Sequence, residues 1–368
     1  MIRARLKQSH RYRTLKDFFT KHERLMIPGM LICGVIADFI TFRTIQYSTA
    51  FMLLGVYFFV ALTIVHKMIF MKAKLLRTQF DRYFLLTAPL VLQFLFGALL
   101  SASLVFYWFS GIFSVSWPII FLLAALMTSN DVLRHLYRRP AIQIPVLFFI
   151  CFSLSTLILP FFVHSIDAWV FLLGGMGSLF FIMGYIKFLS SRTKRIRERE
   201  GLVTVLVLGI FIMMNGLYFL NIIPPIPLSL REAGVYHNIV RSGVDWHLGV
   251  EEENIIERII PGQRVHIVKG DPLYAYSSVY SPDDLDVTIV HHWQRYDEED
   301  NEWVTEDELS FSVLGGRDDG FRGYSVKRSL EQGKWRVNVE TERGQVLGRM
   351  RFSVQFVQEE PELLFIAP

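Results

Sequence analysis

Seven long apolar stretches, separated by short polar connections, occupy the chain as far as about Asn221. An apolar helix needs roughly 20 residues to cross a bilayer core of about 30 Å. The pattern therefore predicts an all-α bundle of seven transmembrane helices. The predicted spans are Leu25–Arg43, Ser48–Phe70, Tyr83–Phe109, Ile112–Ser129, Ala141–Val163, Ala168–Phe188 and Leu202–Ile222. The turn at Ser110–Gly111 is very short, and a single crossing between Tyr83 and Ser129 would reduce the count to six.

From Arg264 onward the apolar positions recur at every second residue, which is the period of a β-strand. Apolar and polar residues alternate along Leu309–Val313, Trp335–Glu340 and Met350–Phe356. Turn-forming residues separate the runs at Ser281–Asp284, Asp297–Glu302, Gly315–Gly323, Gln332–Gly333 and Arg343–Gly344. Several short strands at spacings of about ten residues are typical of an Ig-like antiparallel β-sandwich. Trp293 and Trp335 are the candidates for its core.

Positive charge divides the connections into two alternating sets. Of the 23 Lys and Arg residues before Pro224, all but Arg43 fall in the N-terminal tail or in the second, fourth and sixth connections. Loops rich in Lys and Arg stay in the cytoplasm. The N-terminus is therefore predicted to be cytoplasmic, and an odd number of spans delivers the C-terminal part to the periplasm of a bacterial inner membrane.

Composition agrees with this division. The chain is 52% hydrophobic with a mean hydropathy of +0.35, which is too apolar for an ordinary soluble protein. Residues 1–230 carry a net charge of +15 and residues 231–368 carry −11. The acidic outer part argues against nucleic acid as a partner, because phosphates would repel it. The two cysteines, Cys33 and Cys151, lie in predicted spans, so the outer part must be stable without disulfides.

The segment between the spans and the alternating strands is less regular. Three prolines, the last of them Pro227, end the final span and form a stiff exit. Four isoleucines within Ile255–Ile260 have helical spacing and indicate a short helix near the membrane surface. The predicted domains are a basic cytoplasmic tail (1–24), the seven-span domain (25–222), a Pro-rich exit and juxtamembrane segment (223–262), the periplasmic β-sandwich (263–358) and a short tail (359–368).

A series of short motifs in the strand region resembles a known family. The motifs are His292-Trp293, Gly315-Gly316-Arg317, Gly320-Phe321-Arg322, Tyr324-Ser325, Gly333-Lys334-Trp335-Arg336-Val337, Gly344-Gln345, Gly348-Arg349 and Phe352. In order and spacing they resemble the domain of unknown function DUF2914, over about Tyr274 to Val357. The resemblance implies a small bacterial β-sandwich with a periplasmic address, often attached to membrane segments. It implies no reaction and no functional residues.

The loop from Gly315 to Tyr324 is the densest unusual feature of the outer part. One interpretation is a bulged strand connection whose glycines permit the backbone path, with Phe321 and Tyr324 in the core. The other is an exposed recognition patch in which Arg317, Arg322 and Tyr324 bind an anionic or glycan ligand. A phosphate-binding P-loop is not expected, because no Gly-Lys-Ser/Thr follows and no helix is predicted there.

Within the spans, Asp38 is the carboxylate that lies well inside an apolar stretch. Ionisable groups at membrane depth are costly and mark functional sites. Asp38 is also near the outer end of its helix, within reach of the interface and close to Arg43, so a structural pairing or an interfacial position competes with a proton or ion role. Gln93, Ser101 and Asn215 are expected to form hydrogen bonds between helices.

The remaining polar residues indicate little chemistry. His164 and Asp167 are expected to lie in a solvated loop, and the acidic run Asp297–Asn301 in a solvated hairpin tip. His291 and His292 are neighbours on a strand and point to opposite faces, so one of them is expected in the core with its ring satisfied by the backbone. No catalytic residues, metal site or cofactor are predicted.

Two hypotheses for function follow. The first is a non-enzymatic inner-membrane protein whose periplasmic β-sandwich binds a protein or cell-wall partner. The alternative is a transporter or membrane enzyme in which the bundle carries the activity and the sandwich is accessory. Transporters usually place several polar groups near the midplane. This chain offers few, which favours the first hypothesis.

Overall fold

A computed structural model describes residues 47–71, 79–132, 139–225, 227–243, 245–251, 263–281, 285, 287–313 and 320–367. The predicted span Leu25–Arg43 with Asp38 and Cys33, the predicted helix near Ile255–Ile260, and Arg317 lie outside these residues. The chain forms two compact units. One contains helical residues up to 105 together with 121–154 and 179–210, and the other contains 106–120, 155–178 and the chain from 211 onward.

Seven helices form within the described residues, and five of them are long and apolar enough to cross a membrane. The helices are α1 (Tyr47–Phe70), α2 (Gln79–Ser110), α3 (Phe113–Val132), α4 (Pro140–Val163), α5 (Ala168–Arg192), α6 (Lys194–Arg197) and α7 (Glu200–Phe219). The five are α1, α2, α4, α5 and α7, and they lie within a few residues of the predicted spans. The apolar stretch of α3, Phe113–Ser129, is shorter.

The surface of these helices has the chemistry of a lipid-facing surface. Met52, Phe121, Phe180 and Ile212 are each at least 68% exposed. Soluble proteins rarely expose contiguous apolar side chains of this size. A helix satisfies its own backbone hydrogen bonds, so such a surface is stable in hydrocarbon.

The predicted turn between the third and fourth spans is present. The helix α2 ends at Ser110 and α3 begins at Phe113. A Cβ atom at Gly111 would lie 2.7 Å from the Cβ of Pro224 and 2.8 Å from the Oγ of Ser116. Only glycine fits this close approach, which explains why the chain can turn in so few residues.

Eleven strands follow the last helix in the described part of the chain. They are β1 (Ser229–Tyr236), β2 (Asn238–Ser242), β3 (Asp245–Glu251), β4 (Gln263–Val268), β5 (Leu273–Tyr280), β6 (Val287–Asp297), β7 (Glu302–Val313), β8 (Phe321–Lys327), β9 (Gly333–Thr341), β10 (Val346–Val357) and β11 (Leu363–Ile366). The strand region therefore starts at Ser229, before the alternating pattern that begins at Arg264. It also includes β11, in the segment predicted to be a tail.

The strands form three sheets, with the orders β1-β5-β8, β4-β10-β9-β6-β7 and β11-β3-β2. The pairs are antiparallel except for β4, which runs parallel to β10. The sheet β1-β5-β8 and the five-stranded sheet contribute side chains to one hydrophobic core. Trp293 and Trp335 are 0% and 1% exposed at its centre, which confirms their predicted position.

Local sequence explains the turns of the five-stranded sheet. The β6–β7 hairpin closes over Asp297–Glu302, where the backbone nitrogen of Glu299 donates to Asp297 Oδ1 at 2.9 Å and Asn301 has a φ of +55°. Asn tolerates this left-handed conformation better than most residues. Gly344, with a φ of +77°, serves the turn between β9 and β10. Both turns were predicted.

Candidate binding surfaces of the β-rich region

Arg322 and Tyr324 share one face of β8. In the register of the sheet, Tyr324 pairs with Tyr276 and Arg322 pairs with Ser278. Tyr324 is 47% exposed, which contradicts the interpretation that placed it in the core. Phe321, on the opposite face, packs against the core as predicted.

Aromatic side chains from two sheets surround Tyr324. Its ring centroid lies 6.0 Å from that of Trp246 on β3 and 6.0 Å from that of Tyr274 on β5. We call the surface formed by Trp246, Tyr274, Arg322 and Tyr324 the aromatic face. Burial raises the pKa of the neighbouring Tyr276 to about 12, although the charge of Arg322 acts in the opposite direction. The Tyr276 hydroxyl therefore stays neutral beneath this surface.

A second surface lies on the five-stranded sheet. Trp335, on β9, and Phe352, on β10, face the core. The alternating residues Arg336, Arg349 and Arg351 therefore point to the other side. Arg336 pairs directly with Arg351 across the two strands, and Arg349 pairs with Asn338. We call the surface formed by Arg336, Arg349 and Arg351 the arginine face.

Neutral side chains hold two of the three arginines. The Nε of Arg336 donates to Gln294 Oε1 at 2.7 Å, and its guanidinium carbon lies 4.3 Å from the centroid of the Trp303 ring. The Nε of Arg349 donates to Asn338 Oδ1 at 2.6 Å. Within the described residues, none of the three arginines forms an ion pair with a carboxylate. The Glu340 carboxylate acts on the charges of Arg336 and Arg349 without pairing directly with them, so the positive charge of this surface is only partly offset.

The pKa values of the arginines reflect the closeness of their charges. Burial and the neighbouring charges of Arg349 and Arg351 lower the pKa of Arg336 to about 10. Burial and Arg351 also lower the pKa of Arg349. With a pKa of about 10, Arg336 remains charged at neutral pH, so its repulsion with the neighbouring arginines persists.

Sequence reasoning did not select the arginine face as a site. The alternation along β9 and β10 already placed Arg336 and Arg351 on the outward side of their strands. Counting from the predicted turn at Arg343–Gly344 would have brought them close together. The exact pairing depends on the bulge between Val346 and Gly348, and this could not be predicted.

His291 is completely buried between strands. Its Nε2 lies 2.8 Å from Ser277 Oγ, and its Nδ1 lies 2.8 Å from Ser325 Oγ. Trp293 Nε1 also donates to Ser325 Oγ, at 3.0 Å. Burial lowers the pKa of His291 to about 4. The prediction of a core histidine is confirmed, but serine hydroxyls rather than the backbone satisfy its ring.

His292 lies on the other side of the strand, as its adjacent position predicts. Its Nδ1 is 2.9 Å from Glu340 Oε1 and its Nε2 is 2.7 Å from Thr305 Oγ1. The two neighbouring histidines therefore serve separate networks and cannot act together on one ligand.

The carboxylate of Glu251 joins two sheets through two histidines. Glu251, at the end of β3, lies 2.8 Å from His237 Nε2 and 2.7 Å from His266 Nδ1, and it accepts the backbone N–H of His266 at 2.6 Å. Burial acts to raise the pKa of Glu251, but these hydrogen bonds prevail and lower it. The arrangement fastens the third sheet to β4, and no sequence pattern indicated it.

The turn of the β9–β10 hairpin contacts the end of α7. Asn221 has a φ of +55° and its side-chain Nδ2 donates to the carbonyl of Arg343 at 2.9 Å. The Arg343 side chain hydrogen-bonds to the Tyr218 hydroxyl and lies over its ring. Gln345 Nε2 donates to the carbonyl of Ile223 at 3.3 Å. These contacts anchor the five-stranded sheet to the end of α7.

The other predicted polar residues have local roles. His164 and Asp167 are exposed, as expected, and Asp167 Oδ2 accepts from Ser165 Oγ at 2.9 Å and from Trp169 Nε1 at 3.3 Å. Asn215 was expected to bond between helices. Instead its Nδ2 donates to the carbonyl of Phe211 in its own helix, at 2.8 Å.

Hydrogen bonding between helices involves other serines than the predicted one. The hydroxyl of Ser101 lacks a hydrogen-bond partner among the described residues. The hydroxyls of Ser155, on α4, and Ser178, on α5, lie 2.9 Å apart. In the part of the chain that the structure describes, no three His, Cys, Asp or Glu side chains group as a metal site requires.

Comparison with known proteins identifies one part of the chain. No curated protein matches it. Among solved structures, a β-glucosidase from Listeria innocua in complex with gluconolactone is 12% identical, with a TM-score of 0.19 over 33% of this chain and 16% of that one. The alkylpurine DNA glycosylase AlkC from Pseudomonas fluorescens, bound to DNA containing an abasic site analogue, is 12% identical, with a TM-score of 0.22 over 85% of this chain and 83% of that one.

Neither structural likeness carries an argument about fold or function, because both TM-scores are far below 0.5. The family comparison is more specific. Residues 286–354, from β6 to β10, match the model described as a protein of unknown function (DUF2914). The C-terminal region of this chain therefore carries a DUF2914 module, as the sequence motifs implied.

Proposed function

We propose that this protein is a non-enzymatic, multi-pass protein of the bacterial inner membrane whose periplasmic Ig-like β-sandwich binds a protein partner of the envelope. The N-terminus would be cytoplasmic and all strands periplasmic. The alternating distribution of Lys and Arg supports this topology. The periplasmic domain would begin near Ser229, earlier than the boundary at 263 inferred from alternation, because β1 supplies a strand of the shared core.

The exposed ring of Tyr324 is the observation that carries the proposal. Tyr, Trp and Arg dominate the binding energy of protein interfaces, where they cluster at the centre of the contact. The aromatic face combines all three residue types, and Tyr324 exposes 47% of its surface there. Arg241 adds a further cation at the rim, 5.6 Å from the Trp246 ring.

Rigidity also favours binding at this face. Trp246, Tyr274 and Tyr324 each project from a hydrogen-bonded strand, and the Tyr324 ring contacts both of the other rings. An anchor that is already ordered loses little conformational entropy when a partner binds. Aromatic side chains, with two rotatable bonds, are especially suited to this role.

Site-specific cross-linking in cells tests the proposal. A benzoylphenylalanine at position 324 of the full chain should form a discrete adduct with one envelope protein. The substitution Arg322→Ala should reduce the adduct at least several-fold, because it removes a charged contact beside the probe.

Position 365 provides the matched control. Phe365 is 54% exposed, and it pairs with Gly249, so it lies on the opposite face of its sheet from Trp246. The same probe there should give no adduct. Equal adducts at both positions, or none at position 324 in cells whose bundle shows measurable transport, would refute the proposal in favour of a transporter.

A further inference from the structure

We infer that the arginine face is a binding site for an acidic polysaccharide, whose anionic groups pair with Arg336, Arg349 and Arg351. This surface lies on a different sheet from the aromatic face. The inference depends on the proposed function only for the compartment in which the polysaccharide is met. Folding alone does not favour three arginines placed so close together.

The arrangement of charge is unfavourable without an anion. Arg336 and Arg351 occupy directly opposed positions on adjacent strands. Like charges in such positions destabilise a sheet. Arg349 adds a third charge, two residues from Arg351 on the same strand, or about 7 Å away. A bound anion would relieve the repulsion among all three.

The arginines are also prepared for binding. The Nε atom of Arg336 donates to Gln294, and that of Arg349 donates to Asn338. The Arg336 guanidinium also stacks on the Trp303 ring. In the described residues, the terminal guanidinium nitrogens of these two arginines make no further hydrogen bond. They are therefore available for the paired hydrogen bonds that guanidinium forms with carboxylate or phosphate.

The polar side chains of the arginine face indicate which kind of polymer it binds. Apart from the terminal residues Val346 and Val357 of β10, the outward positions of β9 and β10 are polar or charged: Lys334, Arg336, Asn338, Glu340, Arg349, Arg351, Ser353 and Gln355. A protein partner would need an apolar anchor at the centre of its contact. At the arginine face, the ring of Trp303 is already occupied by the Arg336 guanidinium, which lies 4.3 Å from its centroid. This face offers charge for acidic groups and side-chain amides for hydroxyls, which is the chemistry of an acidic sugar chain.

The surface also suits a linear ligand. Arg264 on β4 is exposed and pairs with Ser353 on β10, so it continues the basic surface beyond Arg351. Adjacent strands are about 5 Å apart. Cations therefore recur at short intervals across three strands. Several weak charge contacts along one polymer would act together in binding.

Binding of polygalacturonate to the full-length protein in lipid nanodiscs tests the inference. Wild type should bind this carboxylated polysaccharide with an affinity that falls steeply with salt, and should not bind neutral dextran. Arg351→Gln should weaken binding about tenfold, because one charge-assisted hydrogen-bonding group is lost. Arg351 is exposed, so the variant should fold normally.

A charge-matched variant and an acidic peptide complete the experiment. Arg231→Gln makes the same charge change at an exposed position of β1, in a different sheet, and should leave binding unchanged. Equal weakening by Arg231→Gln and Arg351→Gln would show a non-specific charge effect and overturn the inference. Polyglutamate binding as tightly as polygalacturonate, with the same dependence on Arg351, would assign the surface to acidic proteins instead.

Absence of polygalacturonate binding would also refute the inference if a phosphorylated polysaccharide failed in the same assay. Thermal unfolding gives an independent readout. Arg351→Gln should unfold at a higher temperature than wild type without ligand, and polygalacturonate should stabilise wild type more than the variant. The cross-link at position 324 probes the other sheet, so either proposal can fail while the other stands.

Discussion

At the residue scale, His291 shows how a titratable group can be part of a core. Its ring lies between two serine hydroxyls, and a tryptophan shares one of them. A neutral imidazole has one donor and one acceptor nitrogen, so two hydroxyls satisfy it completely. A protonated ring would need two acceptors and would carry an unpaired charge in the core. The fold therefore requires the neutral form.

This requirement predicts a loss of stability in mild acid. Burial lowers the pKa of His291 to about 4 in the folded protein, whereas an unfolded histidine has a pKa of about 6.5. Between these two pH values, unfolding therefore allows the ring to bind a proton. Its stabilising contribution is complete above about pH 6.5 and is lost progressively as the pH falls towards 4. We expect a loss of about 2 kcal/mol at pH 5 in urea unfolding of the full chain, followed by tryptophan fluorescence.

Two variants assign the effect to this ring. His291→Gln should be less stable at pH 7 but should lose this part of the dependence on pH. His164→Asn changes an exposed histidine with a φ of +55°, a conformation that Asn tolerates, and should keep the wild-type dependence. An unchanged pH dependence in His291→Gln would contradict the prediction.

Sequence predicted single residues best where burial alone decides their place. Trp293 and Trp335 were placed in the core because large apolar residues on alternating strands have no other position. Arg322 and Tyr324 were selected together, and they share a face. The partners of Glu251 could not be predicted, because His237 and His266 come from separate segments that meet only in the folded chain.

At the element scale, the end of α7 is a capped terminus that also holds the β9–β10 turn. The backbone nitrogen of Asn221 donates to the Tyr218 carbonyl at 3.0 Å, and that of Ile222 donates to the Leu217 carbonyl at 2.9 Å. These two bonds form a Schellman cap, in which the left-handed residue is usually Gly and sometimes Asn. Here Asn is used, and its side chain reaches Arg343.

Two substitutions at Asn221 separate these roles. Asn221→Gly keeps the left-handed backbone and loses only the bond to Arg343, so we expect a cost of about 1 kcal/mol. Asn221→Ala also strains the backbone, and should cost about 2 kcal/mol or more. Hydrogen exchange of the amides in 341–346 should accelerate in both variants and more in Asn221→Ala. Equal exchange in both variants would show that the backbone conformation contributes nothing.

The strands that sequence predicted are those with one apolar and one polar side. The alternation along β9, β10 and Leu309–Val313 of β7 is regular, because one face of this sheet packs on the core and the other meets water. The strands β1, β2 and β3 were not predicted. The sheet β1-β5-β8 packs on both of its sides. On the second side, Tyr276 of β5 belongs to an apolar cluster that includes Leu248 of β3. Apolar residues on both faces of a sheet leave no period of two in the sequence.

At the scale of the whole molecule, we expect the sidedness of charge to decide where the strands are found. Connections rich in Lys and Arg are expected to stay on the cytoplasmic side, and seven crossings would carry the chain end outward. We expect alkaline phosphatase fused after Pro368 to be active, since it matures only outside the cytoplasm. A green fluorescent protein fused at the same residue should remain dark.

The converse pair of signals would reverse the topology and remove the periplasmic address from both proposals. As a control, the two reporters fused within the predicted cytoplasmic connection at Lys187–Arg199 should give the opposite result. Five helices within the described residues already meet the length and composition of a span. The prediction therefore depends on whether the segments Leu25–Arg43 and Phe113–Ser129 also cross.

The β9–β10 hairpin has a mechanical consequence. Its turn is fastened to the last helix at Asn221, and its strands carry the three arginines. A polymer held by Arg349 would pull on a strand only six residues from Arg343. Tension would then pass along the hydrogen-bonded ladder to the helix end. An attached wall polymer would thus be tethered directly to the bilayer by one short, stiff strand pair.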